Sequence, residues 1–569
     1  MLKTKYADKI DTGCPHAYYP RPQFKRDSYL CLNGEWELGY SDSLEYSESV
    51  AYGKKILVPF PHESYLSGVA EAVPEGKIMC YRRRVDLPEG FIKSRLLLHF
   101  GAVDQECRVY IDGVYVAHNE GGYLPFSADI TDCIKSDSFT LTVTVRDMLD
   151  KKYPYGKQTK SRGGMWYTPV SGIWQTVWLE SVPPGYIEAI KLTPHKNGAM
   201  LTVKGGLCKK TVTLSTGEAY SFEGDTLDIK PSGVRPWSPD DPYLYYFTLE
   251  SGEDKVESYF AIRTVEIAKV GNYNRILLNG KPIIINGLLD QGYYPDGIFL
   301  PATEDGYLDD ILLAKSLGFN MLRKHIKIEP MIFYHLCDRE GIIVLQDMVN
   351  NAGYSFIRDT ALPTVGIQRL KDKRLNRGSE SRRIFKEQML ATAEHLFNTP
   401  SILYYTIFNE GWGQFCADSA YTLLKEKDPT RIIDTTSGWF RQSLSDVDSR
   451  HIYFKKLKVK SPSAAPVAIS EFGGYSYRVE GHLFSDKNYG YRSFGSREEF
   501  EAGLIALYEN EVIPLMHSGA SVFVYTQLSD VEDETNGLVT YDREIVKVNK
   551  DNIFKIMEKL RRFFSDQAW

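Results

Sequence analysis

The sequence predicts a multidomain chain in which β-sandwiches precede an α/β barrel. An N-terminal jelly-roll β-sandwich is expected over residues 1–182, an immunoglobulin-like β-sandwich over 183–268, and a C-terminal (β/α)8 TIM barrel over 269–569. Three observations lead there. Short runs rich in Val, Leu and Tyr, separated by turn residues, fill the first part of the chain. Near residue 270 the pattern changes to apolar strands alternating with amphipathic helices, as in a parallel α/β domain. Eight candidate strands then fall within about 300 residues, which favours a barrel over an open sheet.

In the first region RLLLHF (95–100), ECRVYI (106–111), VYVAHN (114–119), LTVTVRD (141–147) and QTVWLES (175–181) read as strands. Asp112-Gly113 between two of them signals a two-residue hairpin. From IEAIKLTPH to ESYFAIRTVEI a second series of short strands has a length that suits an immunoglobulin-like sandwich. It holds no cluster of acids, His or Cys and reads as a spacer. The barrel strands are assigned to 282–287, 319–324, 342–347, 402–408, 431–437, 451–454, 467–471 and 522–527. A helix over 304–318 stops at Gly318, and another starts at Ser496 with Glu499 three residues on, a capping box. Residues 348–378, polar and rich in Gly, Asn and Arg, read as a long loop near the active face.

The stretch Tyr404 to Phe415 organises the functional reading. Its apolar and aromatic run ends at Asn409 and Glu410, where Gly411 breaks the strand, and a second strand, 467–470, ends at Glu471. Carboxylates at the carboxyl ends of buried strands occupy the catalytic face of a β/α barrel. Two of them point to a glycosidase pair, one acid/base and one nucleophile. The plainer alternative is that such acids only cap helices or pair with arginine. Asn409 could hydrogen-bond a sugar hydroxyl beside the reacting carbon, and Trp412, Trp439, Tyr453 and Tyr475 could wall a sugar face. Strand ends add Asp290, Gln291, Arg323, His325, Lys327, Asp347, His451, Gln527 and Asp530 as candidates, each with a local cap or salt bridge as its alternative. An arginine among them would keep a nucleophilic carboxylate ionised. The acidic run SDVEDE (529–534) reads as a solvated loop that falls beside the pocket.

The 569 residues leave room for two to four domains, and 43% hydrophobic with 25% charged content is ordinary for a globular protein. A net charge of −6 gives no reason to expect a nucleic acid or an acidic membrane as partner. The 13% aromatic content fits carbohydrate binding and a β-rich protein equally. No apolar run approaches the roughly 18 residues that span a bilayer. The first residues show no apolar signal core, so a cytoplasmic location is expected. Eight scattered Cys with no C-x-x-C pair argue against structural zinc and a disulfide framework.

In separated places, and in the family order, the chain resembles glycoside hydrolase family 2, the family of β-galactosidases, β-glucuronidases and β-mannosidases. LNGEWEL (32–38), GYLPFSADIT (122–131) and SGIWQTVWLE (171–180) are similar to its sugar-binding domain, FAIRTVEI (260–267) to the end of its immunoglobulin-like domain, and LLNGKPIIINGL (277–288) to the opening of its barrel. FNEGW (408–412) and EFGG (471–474) resemble its catalytic stretches. The resemblance implies a retaining, exo-acting β-glycosidase with Glu410 as acid/base, Glu471 as nucleophile and Asn409 as partner of the sugar 2-hydroxyl. Substrate is expected to be bound by Asn409, Asp290, Arg323, His325, Asp347, Trp439, His451, Tyr453, Tyr475 and Gln527.

The subsite pattern departs from both well-known activities. Family glucuronidases hold the sugar carboxylate with an Asn-x-Lys motif ahead of a stretch matched here by GLVTYDR (537–543), but the corresponding residues are Glu534, Thr535 and Asn536. The Asp that precedes Met-Trp in galactosidases is Gly164 here, before Met165-Trp166, and their His after the first strand is Asp290. Of their Arg-x-Ser-His-x-Pro segment only Arg323 transfers cleanly. A neutral glycone, a β-galactoside or related pentoside, is therefore expected. The alternatives are a β-glucuronidase and a non-catalytic carbohydrate-binding protein of the same fold, and transglycosylation would share the covalent intermediate. No metal and no other cofactor is expected. The expected partners are a small glycoside or oligosaccharide and, by the habit of the family, further copies of the chain.

Overall fold

Alternation of apolar and polar residues builds the first sandwich. In Gly34–Ser41, Trp36 and Leu38 are buried while Glu35 and Glu37 face water. The structure, a computed structural model, describes residues 2–368, 370–459 and 463–566. A six-stranded antiparallel sheet runs in the order Tyr52–Val58, Gly34–Ser41, Ile78–Asp86, Ser138–Arg146, Glu106–Ile111, Val114–Glu120. A four-stranded sheet runs Tyr29–Cys31, Val177–Val182, Arg95–Phe100, Phe126–Asp129, and the two share a core that includes Trp36, Tyr81, Leu98, Leu141 and Leu179. Asp112 and Gly113, with φ of 46° and 81°, make the expected hairpin turn. A three-stranded and a four-stranded sheet between Ile187 and Phe260 form the second sandwich over Leu201, Val212, Phe247 and Leu249.

The barrel strands are β1 (Ile285–Asp290), β2 (Met321–Lys324), β3 (Ile343–Asp347), β4 (Ile402–Asn409), β5 (Ile432–Ser437), β6 (Asp448–Ile452), β7 (Val467–Gly473) and β8 (Ala520–Thr526). They form one parallel sheet in the order β5-β4-β3-β2-β1-β8-β7-β6. Buried hydroxyls bridge the seam between β5 and β6: Ser437 Oγ lies 3.4 Å from Ser449 Oγ and donates to Ser470 Oγ at 2.9 Å. Side chains alternate between interior and exterior. Leu322 and Val344 pack with the helical residues Ile311 and Phe333, whereas Met321, Ile343, Leu345 and Leu403 fill the interior beneath the site. Ile276 and Leu278 of the preceding hairpin, with Trp237, join that interior cluster and plug the amino ends of the strands.

Two strands are displaced from their expected positions. β1 starts after 282 because Lys281–Pro282 pairs back on Leu277 and Leu278 of the hairpin. β6 follows β7 from Asp448, opposite Val467, to Ile452, opposite Phe472; Tyr453 then leaves the sheet to reach Glu471. The helix Asp305–Ser316 ends ahead of Gly318, whose φ is 88°. Ser496 caps Arg497–Leu507 by accepting from the Glu499 amide at 3.2 Å, while Glu499 reaches the Gly495 amide rather than that of the cap itself. The segment 348–378 is partly ordered into short helical turns, Ile357–Ala361, Leu362–Thr364 and Asp372–Arg374. Among the described residues no helix is long and apolar enough to cross a membrane.

Arg26 ties the two sandwiches together. Its buried guanidinium donates to Glu180 at 3.0 Å and forks onto Asp254 at 3.0 and 2.9 Å. Removing Arg26 leaves the buried Asp254 carboxylate without its cation, while Glu180 keeps Arg21, and breaking a buried pair in this way costs about 3–5 kcal/mol. Arg26→Leu is expected to lower the first thermal transition in scanning calorimetry by about 6–12 °C. Arg26→Lys, which cannot fork, is expected to recover only part of that loss.

Candidate active site

β4 delivers Asn409 and Glu410 to the mouth of the barrel, and the chain turns sharply there. Glu410 has φ of 52° and Gly411 of 78°, and a side chain at 411 would meet the Phe440 ring at 2.3 Å. A left-handed non-glycine residue persists only where its surroundings hold it; here the Glu410 amide donates to the Ser437 carbonyl of β5 at 2.9 Å. β7 delivers Glu471. One carboxylate oxygen of Glu410, one of Glu471 and a ring nitrogen of His451 lie within 4.8 Å of one another. His451 Nδ1 is 2.8 Å from Glu410 and 3.5 Å from Glu471.

Arg323 on β2 sets the geometry behind the pair. Its Nε donates to Asp347 at 3.0 Å, its Nη1 to Glu471 Oε1 at 3.0 Å and to the Ser470 carbonyl at 2.9 Å, and its Nη2 to Asn409 Oδ1 at 3.0 Å. The second oxygen of Asp347 lies 2.7 Å from His325 Nδ1. The Tyr453 hydroxyl donates to Glu471 Oε2, and the Tyr453 ring stacks on Tyr491 with centroids 4.0 Å apart. Gly474 makes room for that stack: its φ is 66°, and a side chain there would meet the Tyr491 ring at 2.1 Å.

The two carboxyls are pushed in opposite directions. Burial raises Glu410 above the ordinary carboxylate range and the charge of Glu471 adds to this, against the opposing contact with His451. Burial acts the same way on Glu471, but His451, Arg323 and the Tyr453 hydrogen bond outweigh it and hold that carboxyl below the ordinary range. Burial also lowers the His325 imidazole to about 4, so it is neutral near pH 7.

The site has two compartments. An inner pocket of about 20 Å³ is lined by Asn409, Glu410, Glu471, His325, Trp412 and Tyr453, joined by Lys157 and Met165 of the first sandwich and by Tyr489, Tyr491 and Glu534. It adjoins a cleft of about 1420 Å³ whose walls include Glu410, Trp439, His451 and Tyr453 but not Glu471.

Of the expected substrate-binding residues, Asn409, His325 and Tyr453 therefore line the inner pocket, Trp439 and His451 the cleft, and Arg323 and Asp347 stand behind them. Asp290 is turned away: Lys324 and the Gly292 amide hold its oxygens at 2.6 and 2.9 Å in a buried network that includes Glu329 and Lys327, and Gln291 lines the pocket instead. Gln527 is set back as well, donating to Glu534 at 3.0 Å and Asn536 at 2.7 Å and accepting from Gln291 at 2.8 Å. Tyr475 lies outside the site. Beyond the Gly473-Gly474 turn its short strand pairs with Arg492–Ser493, and its ring packs on Phe494 at 5.3 Å.

The acidic run is not solvated. Asp530, Glu532, Asp533 and Glu534 are all buried, and accept from Lys547, the Thr168 amide, Ser485 and Tyr167 respectively, at 2.6 to 2.8 Å. Lys157, Tyr489 and Tyr491 escape strand-end reasoning because they sit on loops; the aromatic density of NYGYRSFG (488–495) is the sole hint of the last two. Among the described residues two sets of donors are close enough for a metal ion: Glu410, His451 and Glu471, and Glu106, His118 and Glu120 on the first sandwich. In the former, His451, Arg323 and Tyr453 already engage three of the four carboxylate oxygens, an arrangement suited to proton transfer.

Residues 32–183 match the sugar binding domain of "Glycosyl hydrolases family 2", and residues 268–468 match the TIM barrel domain of the same family. A β-galactosidase of Vibrio vulnificus (strain CMCP6) is 24% identical over 408 residues, which cover 65% of this chain and 36% of that protein. The chain thus spans little more than a third of that relative's length. The β-D-glucuronidase structure of Dictyoglomus thermophilum superposes with a TM-score of 0.72 at 16% identity, covering 97% of this chain and 99% of that one. A GH2 β-galacturonidase of Eisenbergiella tayi bound to galacturonate superposes with a TM-score of 0.68 at 19% identity, covering 96% and 99%. At such identities the superpositions show the shared fold; the two matched domains, in order along most of the chain, show that the protein belongs to glycoside hydrolase family 2.

Proposed function

We propose that the protein is a retaining, exo-acting β-glycosidase that hydrolyses terminal β-linked neutral sugars by double displacement. The observation that carries this reading is the approach of Glu410 and Glu471 to within 4.8 Å. A retaining pair needs its carboxyls roughly 5–5.5 Å apart, whereas an inverting pair stands roughly 6.5–9.5 Å apart to admit a water. Glu471, ionised, attacks the anomeric carbon while Glu410, protonated, gives its proton to the leaving oxygen. The bond to the aglycone breaks as the glycosyl ester forms. That ester neutralises Glu471, so the Glu410 carboxyl falls in pKa and takes a proton from the water that releases the sugar. Asn409, its Oδ1 committed to Arg323, keeps its amide NH2 for a sugar hydroxyl.

The charges of the inner pocket support a neutral glycone. With Glu410 protonated and His325 neutral, the carboxylates Glu471 and Glu534 face a single ammonium, Lys157, so a uronate would enter a pocket of its own sign. A β-galactoside or related pentoside fits this, in line with the name of the Vibrio relative. Two observations favour a uronate instead: Lys157 makes no ion pair among the described residues, and the solved neighbours named above act on uronic acids by their names.

A panel of 4-nitrophenyl glycosides decides between these: activity on a neutral sugar is expected, and a dominant uronidase rate would reverse the substrate reading. Glu471→Gln is expected to lower kcat by at least about 10³-fold, and a wild type inert on every sugar would favour a binding protein. Glu410→Gln should lose about 10²–10⁴-fold on substrates with poor leaving groups, much less on 2,4-dinitrophenyl glycosides, and with azide should yield the β-glycosyl azide.

The pH profile of kcat/KM should be a bell. Activity rises as Glu471 ionises, below the ordinary carboxylate range, and falls as Glu410 loses its proton, above that range. Removing the cation in Arg323→Gln raises the Glu471 pKa, so the acid limb should move to higher pH by about one unit or more.

A further inference from the structure

We propose that the cleft outside the inner pocket is an aglycone site built for an anionic saccharide, so that the bond cleaved joins a terminal sugar to a residue bearing a carboxylate or sulfate. This rests on the roles of Glu410 and Glu471 given above. The general acid stands beside the leaving oxygen and the nucleophile on the glycone side. Glu410 lines both compartments and Glu471 only the inner one; the inner pocket, about 20 Å³, is too small for a sugar, so the glycone extends past Met165, Tyr489 and Tyr491, which line both, and the leaving group lies farther out in the cleft.

The walls of that cleft are strongly basic. Lys371, Arg441, Arg450, Lys455, Lys456 and Lys458 line it, and its carboxylates are Asp448 and Glu410. Asp448 is shared by Arg441 at 2.9 Å and Arg450 at 3.0 Å, which leaves the arginines with a net positive charge. None of the four lysines has a carboxylate partner among the described residues. The chain as a whole carries −6, so composition does not explain this concentration of cations. A concave wall of one sign focuses its field and raises the local concentration of the opposite charge.

The same walls suit a sugar. Trp439 stands edge-on to His451 at 5.4 Å and is pinned by its indole N–H to the Asp359 carbonyl at 3.2 Å. Phe454 is 70% exposed in the cleft, an apolar ring offered to a ligand face. Three of the lysines follow Tyr453 within five residues. Because Tyr453 is bonded to Glu471, the segment that carries the charges is anchored to the nucleophile. A cleft of about 1420 Å³ has room for more than one sugar unit.

The test uses β-linked disaccharides that share the glycone selected by the aryl-glycoside panel and end in glucose, glucuronate or glucose 6-sulfate. Wild type is compared with the triple variant Lys455→Ser, Lys456→Ser, Lys458→Ser. In low salt kcat/KM is expected to be about tenfold or more higher for the acidic aglycones. The advantage should shrink toward unity in 0.5 M salt and vanish in the triple variant, whose rate on the 4-nitrophenyl glycoside stays at the wild-type value. The ratio between the two acidic substrates tells carboxylate from sulfate. Equal rates on all three disaccharides, or an acidic advantage that survives both salt and the triple substitution, would overturn the proposal. Titration calorimetry with a uronate trisaccharide, a sulfated disaccharide and a neutral trisaccharide separates this from a failure of the catalytic reading. Without turnover of any substrate, salt-sensitive binding of the acidic sugars that the triple variant loses still supports the basic cleft, and no preference over the neutral sugar overturns it.

Discussion

One buried guanidinium holds the mouth of the barrel in register. Arg323 rises from β2 and bonds to side chains or carbonyls of β3, β4 and β7. Its side chain is 1% exposed, and so deep a cation is tolerable only because Asp347 and Glu471 both face it. Burial alone would lower its pKa; the two carboxylates outweigh that and keep it above the ordinary value, so the charge is permanent. A guanidinium is flat and its N–H directions are fixed. Placing Asp347 against one edge therefore sets where Glu471 and Asn409 stand against the others. A lysine would supply the charge without this geometry.

From that arrangement follows the difference between two glutamates of the same barrel. Glu471 receives Arg323 on one oxygen and Tyr453 on the other, so its anionic form is solvated by the protein. Glu410, its side chain 12% exposed, has one contact, His451, and looks across at a negative neighbour. The backbone reinforces the contrast. Glu471 lies within an extended strand, while Glu410 sits past the end of one in a left-handed turn that aims its carboxyl at both the inner pocket and the cleft. In the proposed mechanism acid and nucleophile are assigned by environment, since their chemistry is identical.

The parts legible in the sequence are those where local pattern and function coincide. A buried parallel strand is a continuous apolar run, so a charged or amide residue at its end stands out, as Asn409, Glu410, Asp347 and Glu471 do. The same rule misplaces Asp290, because a strand end says nothing of which neighbour will claim the side chain, and Lys324 claims it. Tyr475, expected as an aromatic wall, is misplaced because Gly473 and Gly474 redirect the chain between Phe472 and Tyr475. Charge density misleads in SDVEDE: four acids in five residues look solvated until a tyrosine, a lysine, a serine and a backbone amide arrive from distant segments to accept their burial. Such partners lie up to 367 residues away, beyond the reach of any window of sequence.

That buried acidic loop also explains why the inner pocket is made by two parts of the chain at once. Glu534 receives Tyr167, Glu532 receives the Thr168 amide, and Arg162 lies 3.7 Å from Glu532, so the loop after β8 is fastened to residues 162–168 of the first sandwich. Lys157 and Met165, which enter the inner pocket, belong to the same sandwich segment, and the Lys157 carbonyl accepts from the Tyr167 amide at 3.0 Å. The sandwich therefore positions part of the inner-pocket wall through acids that belong to the barrel. Under the proposed function the catalytic pair hangs on Arg323, deep in the strands, whereas the wall that would select the sugar hangs on contacts between separate folding units. On that reading chemistry and selectivity rest on different supports: the strands that carry Glu410 and Glu471, and the contacts that fasten the loop after β8 to residues 162–168.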